Sequence, residues 1–225
     1  MIARLLTRVV CSLVSVVLLG GCAMHVPVSE TILFHDGTTQ PTHNTDLGFG
    51  VAGTVAPTLA PARTAVRQKY PGRERVQEGL LNGRQAGGGF FLASYDEGDR
   101  YAFSAMLGFP VAGLDATLKI RGRNYLTLGY SALNQGQVFL LHRTVNSSLF
   151  GAAVGVGGRY ERYAFGGSYG LAIETEHVAS VGTRIFGLFR VEGDPGGGIR
   201  LGTYVGYAPE LERPVVSLTL TMGEF

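Results

Sequence analysis

From Asp46 onward the side chains alternate with a period of two. In residues 100–109 the odd positions are Tyr101, Phe103, Ala105, Leu107 and Phe109, and the even ones are Arg100, Ala102, Ser104, Met106 and Gly108. One face is therefore apolar and the other small or polar, the pattern of a strand between two different environments. Residues 114–121, 150–157, 168–174 and 199–208 repeat the pattern, and no helical periodicity of comparable length competes with it. Turn-forming clusters separate the segments: Asp96-Glu97-Gly98-Asp99, Gly122-Arg123-Asn124, Asn134-Gln135-Gly136, Asn146-Ser147-Ser148 and Asp194-Pro195-Gly196-Gly197-Gly198. Short turns between such strands predict an antiparallel meander. Residues 46–225, less a non-alternating stretch at 57–84, hold about ten strands at roughly 15 residues per strand and connection. Eight or twelve also fit.

Periodicity alone does not say which face is buried, but composition does. The chain is 45% hydrophobic and only 16% charged, against about 25% charged in soluble domains. Twelve Phe and ten Tyr exclude a disordered chain. The small or polar face carries too little charge to serve as a water-facing surface, whereas small residues suit a narrow lumen. The expectation is an all-β, antiparallel up-and-down transmembrane barrel, apolar outside. Arg100, Lys119, Arg121, Arg159 and Arg200 would face Asp115, Glu161 and Glu174 in the lumen, with Leu118 toward lipid. Tyr101 and Phe109, at opposite ends of one segment, suit aromatic girdles.

The first 21 residues are set apart. Arg4 and Arg8 precede an apolar run at 9–19, of signal-peptide length and too short for a spanning helix. Leu19-Gly20-Gly21-Cys22 follows, and this resembles the lipobox of bacterial lipoprotein signals. The resemblance implies cleavage before Cys22, acylation of Cys22 with palmitate-class lipid, and, with Ala23 rather than aspartate after it, export to the outer membrane. Cys11 leaves with the signal, so the mature chain has no disulfide and no free thiolate. Losing Arg4 and Arg8 takes the formal charge from +2 to zero, which gives nucleic-acid binding no electrostatic support. Residues 22–45 read as a lipidated tether, because Pro27, Gly37 and Pro41 interrupt any periodicity. His25, His35 and His43 have no spacing that preforms a metal site. The barrel domain is then 46–225.

The chain end resembles that of outer-membrane barrels, which finish on an aromatic residue with same-face hydrophobics before it. Phe225 matches, but Val216, Leu218, Leu220 and Met222 have the opposite parity. A bulge at Gly223 would restore the phase.

Candidate chemistry is sparse. The runs at 87–89, 155–158 and 196–198 lack the helix and spacing of phosphate loops and read as inward or turn glycines. Glu174, Glu176 and His177, with Ser180 nearby, resemble parts of the Ser-His-acid sites of outer-membrane lipid hydrolases, yet strand parity sends Glu174 and His177 apart. His142 lies among apolar residues on both faces, and its direction is open. The 57–84 segment is basic: Arg63, Arg67, Lys69, Arg73, Arg75 and Arg84 outnumber Glu74 and Glu78. Residues 61–70 and 73–81 could form two helices around Pro71-Gly72. As an external loop it would meet lipopolysaccharide phosphates, for which Arg63, Arg67, Lys69, Arg73 and Arg75 are the anion-binding candidates. A solvated basic loop or a plug in the lumen are the other readings.

The sequence thus points to a lipid-anchored outer-membrane barrel with a narrow or occluded lumen. Its expected role is structural or in surface interaction rather than enzymatic, without metal or cofactor, its oligomeric state open. An enzyme modifying outer-membrane lipid is the alternative, and a lipid-anchored soluble barrel binding a small apolar ligand is the third.

Overall fold

The alternating segments pair into one sheet whose two edges meet. The computed structural model describes residues 23–24, 43–55, 60–81, 84–97, 100–109, 112–131, 135–147, 149–165, 174–191 and 194–224. Among these, ten long strands follow in order: β1 (His43–Val55), β2 (Arg84–Glu97), β3 (Tyr101–Phe109), β4 (Ala112–Arg121), β5 (Asn124–Ser131), β6 (Gln135–Asn146), β7 (Phe150–Phe165), β8 (Glu174–Val191), β9 (Asp194–Ala208) and β10 (Arg213–Glu224). Each pairs antiparallel with its chain neighbours, and β10 pairs with β1. The expected segment around Tyr169, Leu171 and Ile173 lies outside the described residues, as do Cys22, His25, His35 and Phe225. Two further residues, Ala23 and Met24, run beside Tyr163 and Arg162.

The register proves closure. A path of cross-strand partners from His43 passes through Glu97, Tyr101, Leu118, Leu126, Leu140, Val156, Thr183, Val205 and Val216, and returns to β1 at Val55. That return is twelve residues along the strand from where it began. A stagger of this size tilts ten strands by about 40° to the barrel axis. The ladder runs on through Gly223 and Glu224, which pair with Gly198 and Gly197 without a register shift. No bulge at Gly223 therefore restores the phase. Irregular register occurs instead between Asp194 and Gly198, where β9 starts inside the expected turn.

Glycine lets large side chains turn inward. A Cβ on Gly155 would lie 2.5 Å from Leu141 Cδ2, and one on Gly202 would lie 2.8 Å from Phe186 Cε1. These glycines make room in the barrel rather than cradle a phosphate.

The basic segment forms two helices, α1 (Ala60–Lys69) and α2 (Glu74–Leu81), around Gly72, whose φ of +74° favours glycine. They pack at the barrel end opposite the start of β1 and the end of β10. Val66, Val76 and Leu80 are buried in one cluster with Val178, Ala208, Leu211 and Val215. Leu211 belongs to a short 3₁₀ turn, Pro209–Leu211, between β9 and β10. The helices thus cap one mouth, and strand connections at the opposite end are short.

Candidate functional site: the barrel wall, its lumen and the capped mouth

Exposure follows parity around the wall. Outward residues such as Leu107, Leu114, Leu140, Val156, Ile185 and Leu218 are exposed, while their neighbours point into the barrel. A continuous apolar outer surface of this extent is far beyond what a soluble monomer shows. Near the uncapped end the Phe150 and Phe189 rings meet at a tilt, 5.2 Å apart, and Tyr101 lies 5.4 Å from Phe103. Toward the cap the exposed aromatics are Tyr130, Tyr160 and Tyr207. The stretch of β7 from Phe150 to Tyr160, at about 3.3 Å per residue and this tilt, spans about 25 Å, the height of the apolar band of a membrane barrel.

Arginine and aromatic side chains fill the lumen. The Arg159 guanidinium lies 4.1 Å from the Tyr204 ring centre and 5.7 Å from that of Phe139. It donates to Ser217 Oγ, and Glu161 is 3.6 Å away. Arg184 donates to Gln137 Oε1 at 2.9 Å and stacks 4.5 Å from Phe186. Tyr204 meets Phe139 edge-on and donates to Ser180 Oγ at 3.0 Å. Planar guanidinium groups gain from such ring faces, and the buried bonds satisfy part of their donor set. Arg213 closes the capped end by donating to the Leu80 carbonyl.

The expected lumen charges divide. Arg159, Glu161, Asp115 and Arg200 are buried; Arg100 and Arg121 are exposed at the uncapped rim, with Lys119 half-buried between them. Glu174 begins β8. Arg184 and Arg213, the two largest fully buried side chains, escaped the sequence reading. The signal for each was an arginine on the inward parity of its strand, hidden for Arg184 by apolar residues on both faces of β8 and for Arg213 by its place at the very start of β10, beside Pro214.

The five cationic candidates of the helical segment also divide. Arg73 pairs with Glu176 and Lys69 with Glu210, fastening the cap to β8 and the 3₁₀ turn. Burial pulls the Lys69 ammonium down, but Glu210 and Tyr70 together outweigh it and the pKa lies above the usual 10.5. Burial raises the Tyr70 hydroxyl above its usual 10.0, and both cations lie over that ring. Arg63, Arg67 and Arg75 are exposed and have no ion pair among the described residues.

His177 stacks on outward Tyr160 at 5.0 Å and 9°, whereas Ser180 points into the lumen. The hydrolase-like residues therefore do not converge. His142 is exposed, 2.9 Å from Asn124 Oδ1.

These features define a closed, up-and-down β-barrel of the membrane-spanning kind. No family model matches the chain, and no curated protein matches it. Among solved structures the chain is similar to Ail, the attachment invasion locus protein of Yersinia pestis, in complex with the heparin analogue sucrose octasulfate. The identity is 10%, with 81% of this chain and 97% of that chain covered and a TM-score of 0.40.

Proposed function

We propose that the protein is a lipid-anchored outer-membrane barrel that does not conduct, and that it presents a basic helical cap to the cell surface. The carrying observation is the lumen, where Arg159 and Arg184 are sandwiched among Phe139, Phe186 and Tyr204 and the cap covers one mouth. A ten-stranded barrel has little interior beyond what side chains fill. With the short connections on the periplasmic side, as in bacterial barrels, the cap faces outward. Exposed Arg63, Arg67 and Arg75 then meet phosphorylated lipid headgroups, and Cys22 carries the anchor. The separation of His177 from Ser180 gives the lipid-modifying reading no support, and the outward apolar band speaks against the soluble ligand-binding barrel.

The test is single-channel recording of the purified protein in planar bilayers. The expected result is no stable porin-like step; large reproducible steps overturn the occluded lumen and put transport first. Replacing Cys22 with Ser is expected to abolish palmitate labelling, and labelling that persists removes the anchor assignment.

A further inference from the structure

The outer wall is not uniformly convex. A depression of about 630 Å³ crosses β3 to β8 on the outward face. Its register explains its shape: Ala116, Gly136, Gly158 and Ala179 are outward positions with little or no side chain, set between bulky Leu128 and Tyr130 on one strand and Val138 and Tyr160 on others. Because the strands tilt, a row of cross-strand partners climbs the wall. The trough rises from mid-wall near Leu128 to the cap-side aromatic row at Tyr160 and Ala179.

What lies above its upper end is a guanidinium beside an imidazole. Arg162 and His177 are direct cross-strand partners, and the stacking of His177 on Tyr160 places the pair on the outer face, one outward position beyond the trough. Arg162 has no ion pair among the described residues.

We infer that this wall is a binding site for a phosphorylated lipid of the outer leaflet, one acyl chain lying in the trough and a phosphate resting on Arg162 and His177. An apolar trough that ends at the headgroup level under a guanidinium matches an amphiphile end to end. The surrounding wall offers only unspecific solvation by lipid tails. Arg suits phosphate because its planar fork pairs two oxygens at once. The site rests on the proposed membrane residence and outward cap, and is distinct from the exposed arginines of the helices.

The experiment is native mass spectrometry of the full-length protein released from detergent micelles doped with bis-phosphorylated lipid A. Heat-modifiable gel mobility serves as the check on folding and membrane-barrel character. The wild type is expected to retain one lipid A. R162Q/H177Q and the trough-filling A179F are each expected to lower retention at least tenfold while keeping heat-modifiable mobility. R100Q, at the opposite rim, is expected to leave retention unchanged. Fully dephosphorylated lipid A is expected to bind at least tenfold more weakly to the wild type, and inorganic phosphate alone not to displace the bound lipid. Equal retention by R162Q/H177Q and wild type overturns the inference, as does a loss in R100Q matching that in R162Q/H177Q, which marks unspecific charge attraction. Should A179F misfold, A116L fills the same trough and carries the same expectation. Loss of heat-modifiability in the wild type itself would overturn the membrane reading separately.

Discussion

The two faces of β7 are built from one stretch of chain and answer to opposite solvents. Outward Val154, Val156 and Tyr160 are exposed, while Ala153, Arg159 and Glu161 between or beside them are buried. A hydrophobic scale applied to this strand as if it were soluble would assign both faces wrongly. The wall presents apolar surface because lipid tails make no hydrogen bonds, and the strands satisfy their backbone groups by closing the circuit. The lumen keeps its charges because they stack on rings and bond to one another, which offsets desolvation. Environment, not burial as such, separates the faces.

The largest effect separating them is expected at mid-wall. Leu140 is exposed about halfway between the two aromatic rows, so Leu140→Arg is expected to cost about 2–4 kcal/mol. Leu118, although outward, is the cross-strand partner of Tyr101 near the uncapped girdle. Leu118→Arg is therefore expected to cost about 0–1 kcal/mol. Urea unfolding of both variants in lipid vesicles measures the difference. Equal losses would show that the wall has no depth axis.

A smaller effect is expected inside. Arg184→Met removes the donor to Gln137 Oε1 and a cation from the faces of Phe139 and Phe186, at a cost of about 1–3 kcal/mol for the buried acceptor left behind. Arg162→Met on the outer face, half-buried and outside the apolar band, is expected to stay within about 0.5 kcal/mol. The same urea midpoints decide it. A neutral Arg184→Met would mean that the lumen is hydrated and its arginines are replaceable.

Much of this architecture was legible because period two survives wherever the faces differ. The apolar-out assignment of β3, β4 and β7 and the two helices follow from residues 100–121, 150–157 and 61–81, with helix ends off by about one residue. Arg184 and Arg213 were not legible. In β8 the inward face itself carries Phe186 and Leu188, as β6 carries Phe139 and Leu141, so alternation fades and the parity of Arg184 has no anchor, whereas Arg213 is the first residue of β10, ahead of the alternation that runs from Val215 to Met222. Arg100 and Arg121 illustrate the converse: their parity is readable, but they lie beside the rim, where an inward direction still leaves the head in water. Depth was hidden too. Leu118 lies near one interface rather than at the midplane because strand tilt depends on the register, and no single segment contains the register. The lipid trough depends on rows assembled from six strands, which are remote in sequence.

The smallest expected effect contrasts the cap with the wall and is set by pH. Lys69 and Tyr70 both hold their protons more tightly in the folded cap than their usual values of 10.5 and 10.0. For a group whose folded pKa is raised, the stabilising contribution is complete below the unfolded pKa and is lost as pH rises through the folded one. Docking of α1 and α2 should therefore be constant up to about pH 10 and weaken above it, as the Lys69–Glu210 pair loses its charge and the buried Tyr70 hydroxyl ionises. Lys69 is partly exposed, so its pair contributes no more than about 1 kcal/mol. Amide-exchange protection, corrected for the intrinsic rate, should fall in residues 60–81 between pH 10 and 11.5 while β5 to β8 hold theirs. In Lys69→Gln the fall should be shallower, because one of the two titrating groups is gone. Protection that stays level in the cap, or that falls in the strands at the same pH, would show that these two residues do not fasten it.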